Sequence, residues 1–246
     1  MQPLTDAQLL WIWETGLTQA PFDRALTMLA TANPEQSLAD LAAWPVGRRD
    51  EGLLALLEQT FGTTVVAYAT CPACQEPLEL ALNTADLRLT PPAGPEPETY
   101  MASVDGYDLH FRLPASLDLA AVSRLTSLGT ARRLLAERCL LDVRRDGADV
   151  AAETLPESVI AALAAHMAAC DPQAEVDLSL ICPVCGHAWS ILFEATAFLW
   201  TEISALARRL LYEIHTLALA YGWSESQILA LGPTRRQAYL EWVFNG

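Results

Sequence analysis

Residues 181–189 read ICPVCGHAW, placing Cys182 and Cys185 at the spacing of half a metal site. Two thiolates do not close a tetrahedral shell, because structural zinc takes four protein ligands. The only other pair at that spacing is Cys71 and Cys74, within TCPACQE at residues 70–76. Both stretches read Cys-Pro-x-Cys, and each lies between runs that alternate as strands do. TTVVAYAT precedes the first pair and PLELAL follows it, with Leu78, Leu80 and Leu82 on one face and Glu79 on the other. Before the second pair Val176, Leu178 and Leu180 alternate with Asp177 and Ser179; after it Trp189, Ile191 and Phe193 alternate with Ser190. A hairpin with Cys-x-x-Cys at its turn is a zinc knuckle, and two facing knuckles form a four-thiolate ribbon.

The spacing therefore predicts one tetrahedral zinc on Cys71, Cys74, Cys182 and Cys185. The alternatives are two disulfides or a redox-active dithiol. No signal-peptide pattern opens the chain, so an oxidising compartment is not implied. A redox motif needs one pair inside a thioredoxin-like pattern, and that pattern is missing. His187 is a spare ligand, but four thiolates already fill the shell. Gly186 follows the second pair, where a left-handed residue is usual; Gln75 stands there after the first, at a cost of about 1 kcal/mol. Four protein ligands leave no place for water, so the expected zinc is structural and not hydrolytic. It would close a loop whose entropic cost is only a few kcal/mol, against on the order of 10–16 kcal/mol from structural zinc in finger peptides.

The 246 residues are 52% hydrophobic and 18% charged, which indicates a globular chain with a real core. Lys and Arg number 15 against 30 Asp and Glu, a net charge of −15 that repels phosphate backbones. Six cysteines are too few for a disulfide scaffold. The longest apolar stretch, from Ile191 to Leu219, is broken by Glu194, Glu202, Arg208, Arg209 and Glu213, so a membrane span is not supported. A soluble, cytoplasmic protein is expected.

The expected fold is α+β and mainly α, in four parts: an N-terminal helical segment (1–62), a ribbon of two knuckles (63–85 and 174–193), a linker with a mainly helical insertion (86–173), and a C-terminal helical motif (194–246). Thr5 and Gln8 have capping-box spacing. Asn33-Pro34 offers a cap and a first-turn proline for a second helix. VGRRD reads as a polar connection ahead of a third helix, which carries Leu53, Leu54, Leu56 and Leu57 and ends near Gly62. TPPAGPEPET, residues 90–99, reads as an extended linker. In the insertion YDLHFRLP alternates as a strand, Ser116 caps the next helix, and TARRLLAERCLLDV and PESVIAALAAHMAAC are helices around an RRDGAD turn. At the C-terminus Ile203, Leu206, Leu210, Ile214, Leu217 and Tyr221 recur at helical spacing, opposite Glu202, Arg209, Glu213 and Thr216. Gly222 ends this helix, Ser224 with Gln227 caps a short one, and Thr234 with Gln237 caps the last.

Catalytic motifs are absent: no Gly-x-Ser-x-Gly, no phosphate-binding glycine loop, no His-Glu-x-x-His. His166 and Cys170 have metal-ligand spacing, but Met167 and the neighbouring alanines favour a buried helix face; Cys139 reads as core. No enzyme is expected.

Four stretches carry a resemblance: LAAWPVGRRDEGLLALLEQTFG, the two Cys-Pro-x-Cys knuckles, HFRLPASLDLAA, and the region FLWTEISALARRLLYEIHTLALAYGWSESQILALGPTRRQAYLEWV. Within the last, HTLALAYGWSESQILALGPTRRQAYL is the most diagnostic. Together they resemble the assembly chaperones of the tail baseplate hub in contractile-tailed phages, and relatives encoded with phage-tail-like contractile injection systems. The resemblance implies a non-catalytic protein that binds baseplate, hub, spike or tape-measure components during assembly. It implies partner-binding roles for Tyr221, Gly222, Trp223, Ile228, Leu231, Arg235, Arg236 and Tyr239, and for Arg48, Arg49 and Asp50. Trp223 and Tyr239 are alternatively internal packing residues, and Gly222 a helix cap. Arg235 and Arg236 oppose the helix dipole, which points to an acidic partner or an internal salt bridge. The rival class is a nucleic-acid-binding zinc ribbon. Such a ribbon needs cations around its knuckles, whereas these are flanked by Glu76, Glu79, Asp177 and Glu194.

Overall fold

Thr5 starts the first helix as its spacing predicts. In the computed structural model, which describes residues 2–89 and 97–245, the Thr5 hydroxyl accepts from the Gln8 amide and the Gln8 side chain accepts from the Thr5 amide. Helix α1 (Asp6–Gly16) follows, then α2 (Pro21–Ala32), α3 (Leu38–Ala43) and α4 (Val46–Phe61). Asn33 was expected to open a helix and instead closes one. Its side-chain amide donates to the Leu29 carbonyl at 2.8 Å, alongside its own backbone amide, and Ser37 caps the next helix. VGRRD, expected as a connection, forms the first turns of α4. The reason is non-local: the Asp171 carboxylate accepts from the Gly47 amide at 2.9 Å, capping α4 from 124 residues away.

Strands β1 (Thr64–Thr70) and β2 (Pro77–Asn83) pair antiparallel around the first knuckle. The linker expected at 90–99 falls largely outside the described residues. The insertion beyond it departs from expectation by holding a four-stranded antiparallel sheet. β3 (Tyr100–Val104), β4 (Tyr107–Phe111), β5 (Leu140–Arg145) and β6 (Ala148–Asp149) lie in that order. Two Asp-Gly turns with positive φ, Asp105-Gly106 and Asp146-Gly147, close its hairpins. Helix α5 (Ser116–Val122) and α6 (Leu128–Cys139) connect β4 to β5, and α7 (Glu157–Cys170) follows β6. Ser116 is the first residue of α5 and not its cap; the Asp118 carboxylate accepts from the Ala115 amide instead. The sheet buries Leu109, Phe111 and Val143 against Cys139, Val159, Ile160, Leu163 and Met167, forming a core of its own. His166, expected on the buried face of α7, is exposed.

The second knuckle lies between β7 (Val176–Ile181) and β8 (Ala188–Phe193), and β8 leads straight into α8 (Ala195–Tyr221). Gly222 ends α8 with φ 68°, as its conformational freedom predicts. Short α9 (Glu225–Leu229) has the Ser224–Gln227 capping box, and α10 (Pro233–Asn245) follows it. Thr234 does not cap α10. Pro233 takes the first helical position, where its missing N–H costs nothing, and the Gly232 carbonyl accepts the first amides.

A second core joins the parts. Leu9, Ile12, Met28, Leu29, Leu53 and Leu57 pack on Leu199 and Ile203 of α8, with Val65, Leu82, Leu178 and Phe193 docking both hairpins onto it. The far half of α8 buries Leu210, Ile214 and Leu217 with Leu10, Ile228 and Leu240. The insertion is tied to this body where the Val46 amide meets the Pro114 carbonyl at 3.0 Å and Pro45 bridges Ala115. No helix among the described residues is long and apolar enough to cross a membrane.

Candidate functional site

Both knuckles fold by one local plan. In the first, the Cys71 amide donates to the Glu76 carbonyl and the Gln75 amide to the Cys71 carbonyl, both at 2.9 Å. In the second, Cys182 and His187, then Gly186 and Cys182, repeat those bonds at the same distance. The left-handed residue sits at the same place in each, Gln75 with φ 63° and Gly186 with φ 73°. These turns aim two sulfurs per hairpin at the other hairpin.

The four ligand atoms of Cys71, Cys74, Cys182 and Cys185 all lie within 4.8 Å of one another. Cys71 and Cys185 sulfurs are 3.7 Å apart, and Cys74 and Cys182 sulfurs 3.6 Å. A tetrahedral metal with bonds of about 2.3 Å to thiolates sets its ligands about 3.8 Å apart, so the set has the right size. The distances are far beyond a disulfide bond, and all six cysteines are free thiols. The backbone amide of Cys185 holds the Cys182 thiol down to about 7. The Glu76 amide likewise favours the Cys74 thiolate, yet burial and the three neighbouring thiols outweigh it and push that group up to about 12. Four thiolates so close repel one another, and a divalent cation relieves that repulsion. His187 stacks on Trp189 at 6.0 Å and stays outside the ligand set. Among the described residues this is the only group of three or more possible ligands, so His166 and Cys170 form none. Cys139 is fully buried, its thiol pushed up to about 12 chiefly by that burial.

The residues that the resemblance assigned to a partner divide into two sets. Tyr221 stacks on Trp223 at 4.7 Å, and Tyr239 meets Trp223 edge-on at 4.9 Å. Trp242, missed in the sequence although one turn beyond Tyr239, continues the cluster at 5.3 Å and is 64% exposed. Arg235 is exposed and makes no ion pair among the described residues, and Leu231 is half-buried. Arg48 is exposed, its guanidinium 4.5 Å above the Trp44 ring.

Ile228, Arg236 and Arg49, by contrast, are buried within the chain. Ile228 belongs to the core below α8. Arg236 is 2% exposed and is held by Asp6 at 2.6 Å and Glu213 at 3.0 Å. Of the two readings of Arg236, the internal salt bridge is therefore the one found, and Glu213, expected on the solvent side of α8, is covered by it. Arg49 donates from Nε to Asp50 at 2.7 Å. Burial pushes the Asp50 carboxyl up against the pull of Arg49, with Glu194 adding to the rise.

Residues 30–200 match the family described as T4 bacteriophage base plate protein. That span takes in α3, both hairpins, the whole insertion and the first turns of α8, and the chain belongs to this family. The C-terminal stretch that carries most of the resemblance lies beyond the match. No curated protein and no solved structure matches the chain.

Proposed function

We propose that this phage baseplate family protein is a non-catalytic assembly factor of a contractile-tail baseplate or hub, braced by one structural zinc and acting in the cytoplasm of the producing cell. Membership of the baseplate family over residues 30–200 carries the reading. Four cysteines at the mutual distances of a thiolate shell support the zinc, and their number leaves no open position for a substrate. The zinc would lock the two hairpins to each other and so brace the core that α8 shares with the first four helices. At the far end of α8, Tyr221, Trp223, Tyr239 and Trp242 offer aromatic area with few rotatable bonds, the kind of surface that anchors protein partners.

The test is affinity purification of tagged protein from its producer without chelator, with the co-purified proteins identified by mass spectrometry. Recovery of baseplate, hub, spike or tape-measure proteins, reduced by Trp242→Ala without loss of folding, is the expected result. Recovery of polymerase subunits or nucleic acid would overturn it in favour of a zinc-ribbon regulator.

A further inference from the structure

A cleft of about 680 Å³ opens where the insertion meets the body, between the start of α4, the helices α5, α6 and α7, and the first turn of α8. This volume lies in the range of ligand-binding pockets. Its walls are apolar, with Phe22, Val46, Leu119, Leu135, Met167 and Phe193 among them. Among the described residues Arg49 is the only Lys or Arg that lines it, and Arg49 is only 7% exposed. Asp50 takes its Nε at 2.7 Å, while its two terminal amino groups make no hydrogen bond among the described residues. Neither amino group is sealed from solvent, so both are open to an acceptor that enters the cleft. Around this cation stand four carboxylates, Asp50, Asp171, Glu175 and Glu194. They attract cations and repel an anionic head group.

We infer that the cleft receives an apolar peptide segment of a partner protein that carries a Lys or Arg. The segment's main-chain carbonyl accepts from the free amino groups of Arg49, and its basic side chain reaches Glu175 or Glu194. The inference rests on the assembly reading and adds the chemistry of the partner. An acyl chain with a carboxylate head would also meet Arg49, but the surrounding acids disfavour it. The cleft is not the aromatic corner at the end of α8, so it would be a second point of grip.

The test is a display selection of short random peptides on the purified full chain, counter-selected on Ala168→Trp. Ala168 is exposed on α7 and lines the cleft, so an indole there fills it without disturbing the core. Ala165→Trp, exposed on α7 outside the cleft, is the control. Apolar peptides enriched in Lys or Arg are expected, weakened about tenfold or more by Ala168→Trp and by Arg49→Lys, and unaffected by Ala165→Trp. Failure to enrich any peptide over the blocked variant, enrichment of acidic peptides, or binding of a fluorescent fatty acid that no selected peptide displaces would overturn the inference. Baseplate proteins that co-purify undiminished with Ala168→Trp would sink the cleft and leave the assembly reading intact. Cleft-dependent peptides in a protein that captures no baseplate component would do the reverse.

Discussion

Gln75 holds a left-handed backbone at φ 63°, where Gly186 in the other knuckle holds φ 73°. Its Cβ carries a penalty that glycine escapes, partly offset by a 3.3 Å bond from its side chain to the Pro72 carbonyl. Gln75→Gly should therefore stabilise the protein by up to about 1 kcal/mol, read as a higher denaturant midpoint at unchanged slope. Asp118 is the opposite case, a buried carboxylate fully used. Burial alone would raise its pKa; bonds from Arg112 at 2.6 Å, the Ala115 amide and Arg138 at 2.9 Å hold it below the usual carboxylate range instead. A carboxyl lowered in the folded state contributes stability above its unfolded pKa of about 3.9, and that contribution is lost as pH falls through the folded value. Asp118→Asn should cost about 3 kcal/mol near neutrality, and the difference from wild type should shrink in acid below the ordinary carboxylate pKa. An equal loss at every pH would contradict the assignment.

Elements show where the sequence could be read and where it could not. The knuckle hairpins, α8 and the Gly222 stop were legible because each is set by local alternation, helical spacing or a residue of special backbone freedom. The start of α4 was not, since its cap is Asp171, and no local pattern announces a cap so far along the chain. Gly47 shows how tight that joint is. A Cβ built on it would fall 1.7 Å from an Asp171 carboxylate oxygen and 3.0 Å from the Ala174 amide nitrogen. Gly47→Ala should cost about 2–3 kcal/mol and loosen the insertion from the body, visible as faster amide exchange in the turns around Pro114. The insertion's sheet was partly legible and missed. VDGY and RDGA are hairpin signals, but CLLDV fits the end of a helix as well as a strand, and β5 begins at Leu140 directly after α6. As for the candidate site, the four cysteines announced themselves by duplicated spacing. The burial of Arg236 depends on Asp6 and Glu213, which are distant in sequence.

For the molecule as a whole, the proposed zinc would brace one core and leave the other to hold itself. The core of the first four helices and α8 receives both hairpins, whereas the core of the insertion contains no residue of either. Chelation should therefore lower the melting temperature and release amide protection around Val65 and Leu178. Protection of Leu109 and Val159 in the insertion should persist longer. Simultaneous loss of both would mean that the insertion does not hold its own structure. Cys182→Ser should mimic the chelated state, with zinc content lost.

The separation of the two knuckles also orders events in time. Cys71 and Cys185 are 114 positions apart, and at translation rates of about 5–20 residues per second the first thiols wait roughly 5–25 s for their partners to be made. The apolar face of α1, α2 and α4 waits longer still for Leu199 and Ile203 of α8. A nascent chain thus passes through a period in which its insertion has everything needed to fold while its body lies open. Only once α8 has been made can the body close, so a product truncated before it would lack both the closed core and the aromatic corner at the end of α8. Synthesis itself would act as a checkpoint on which copies carry a closed body.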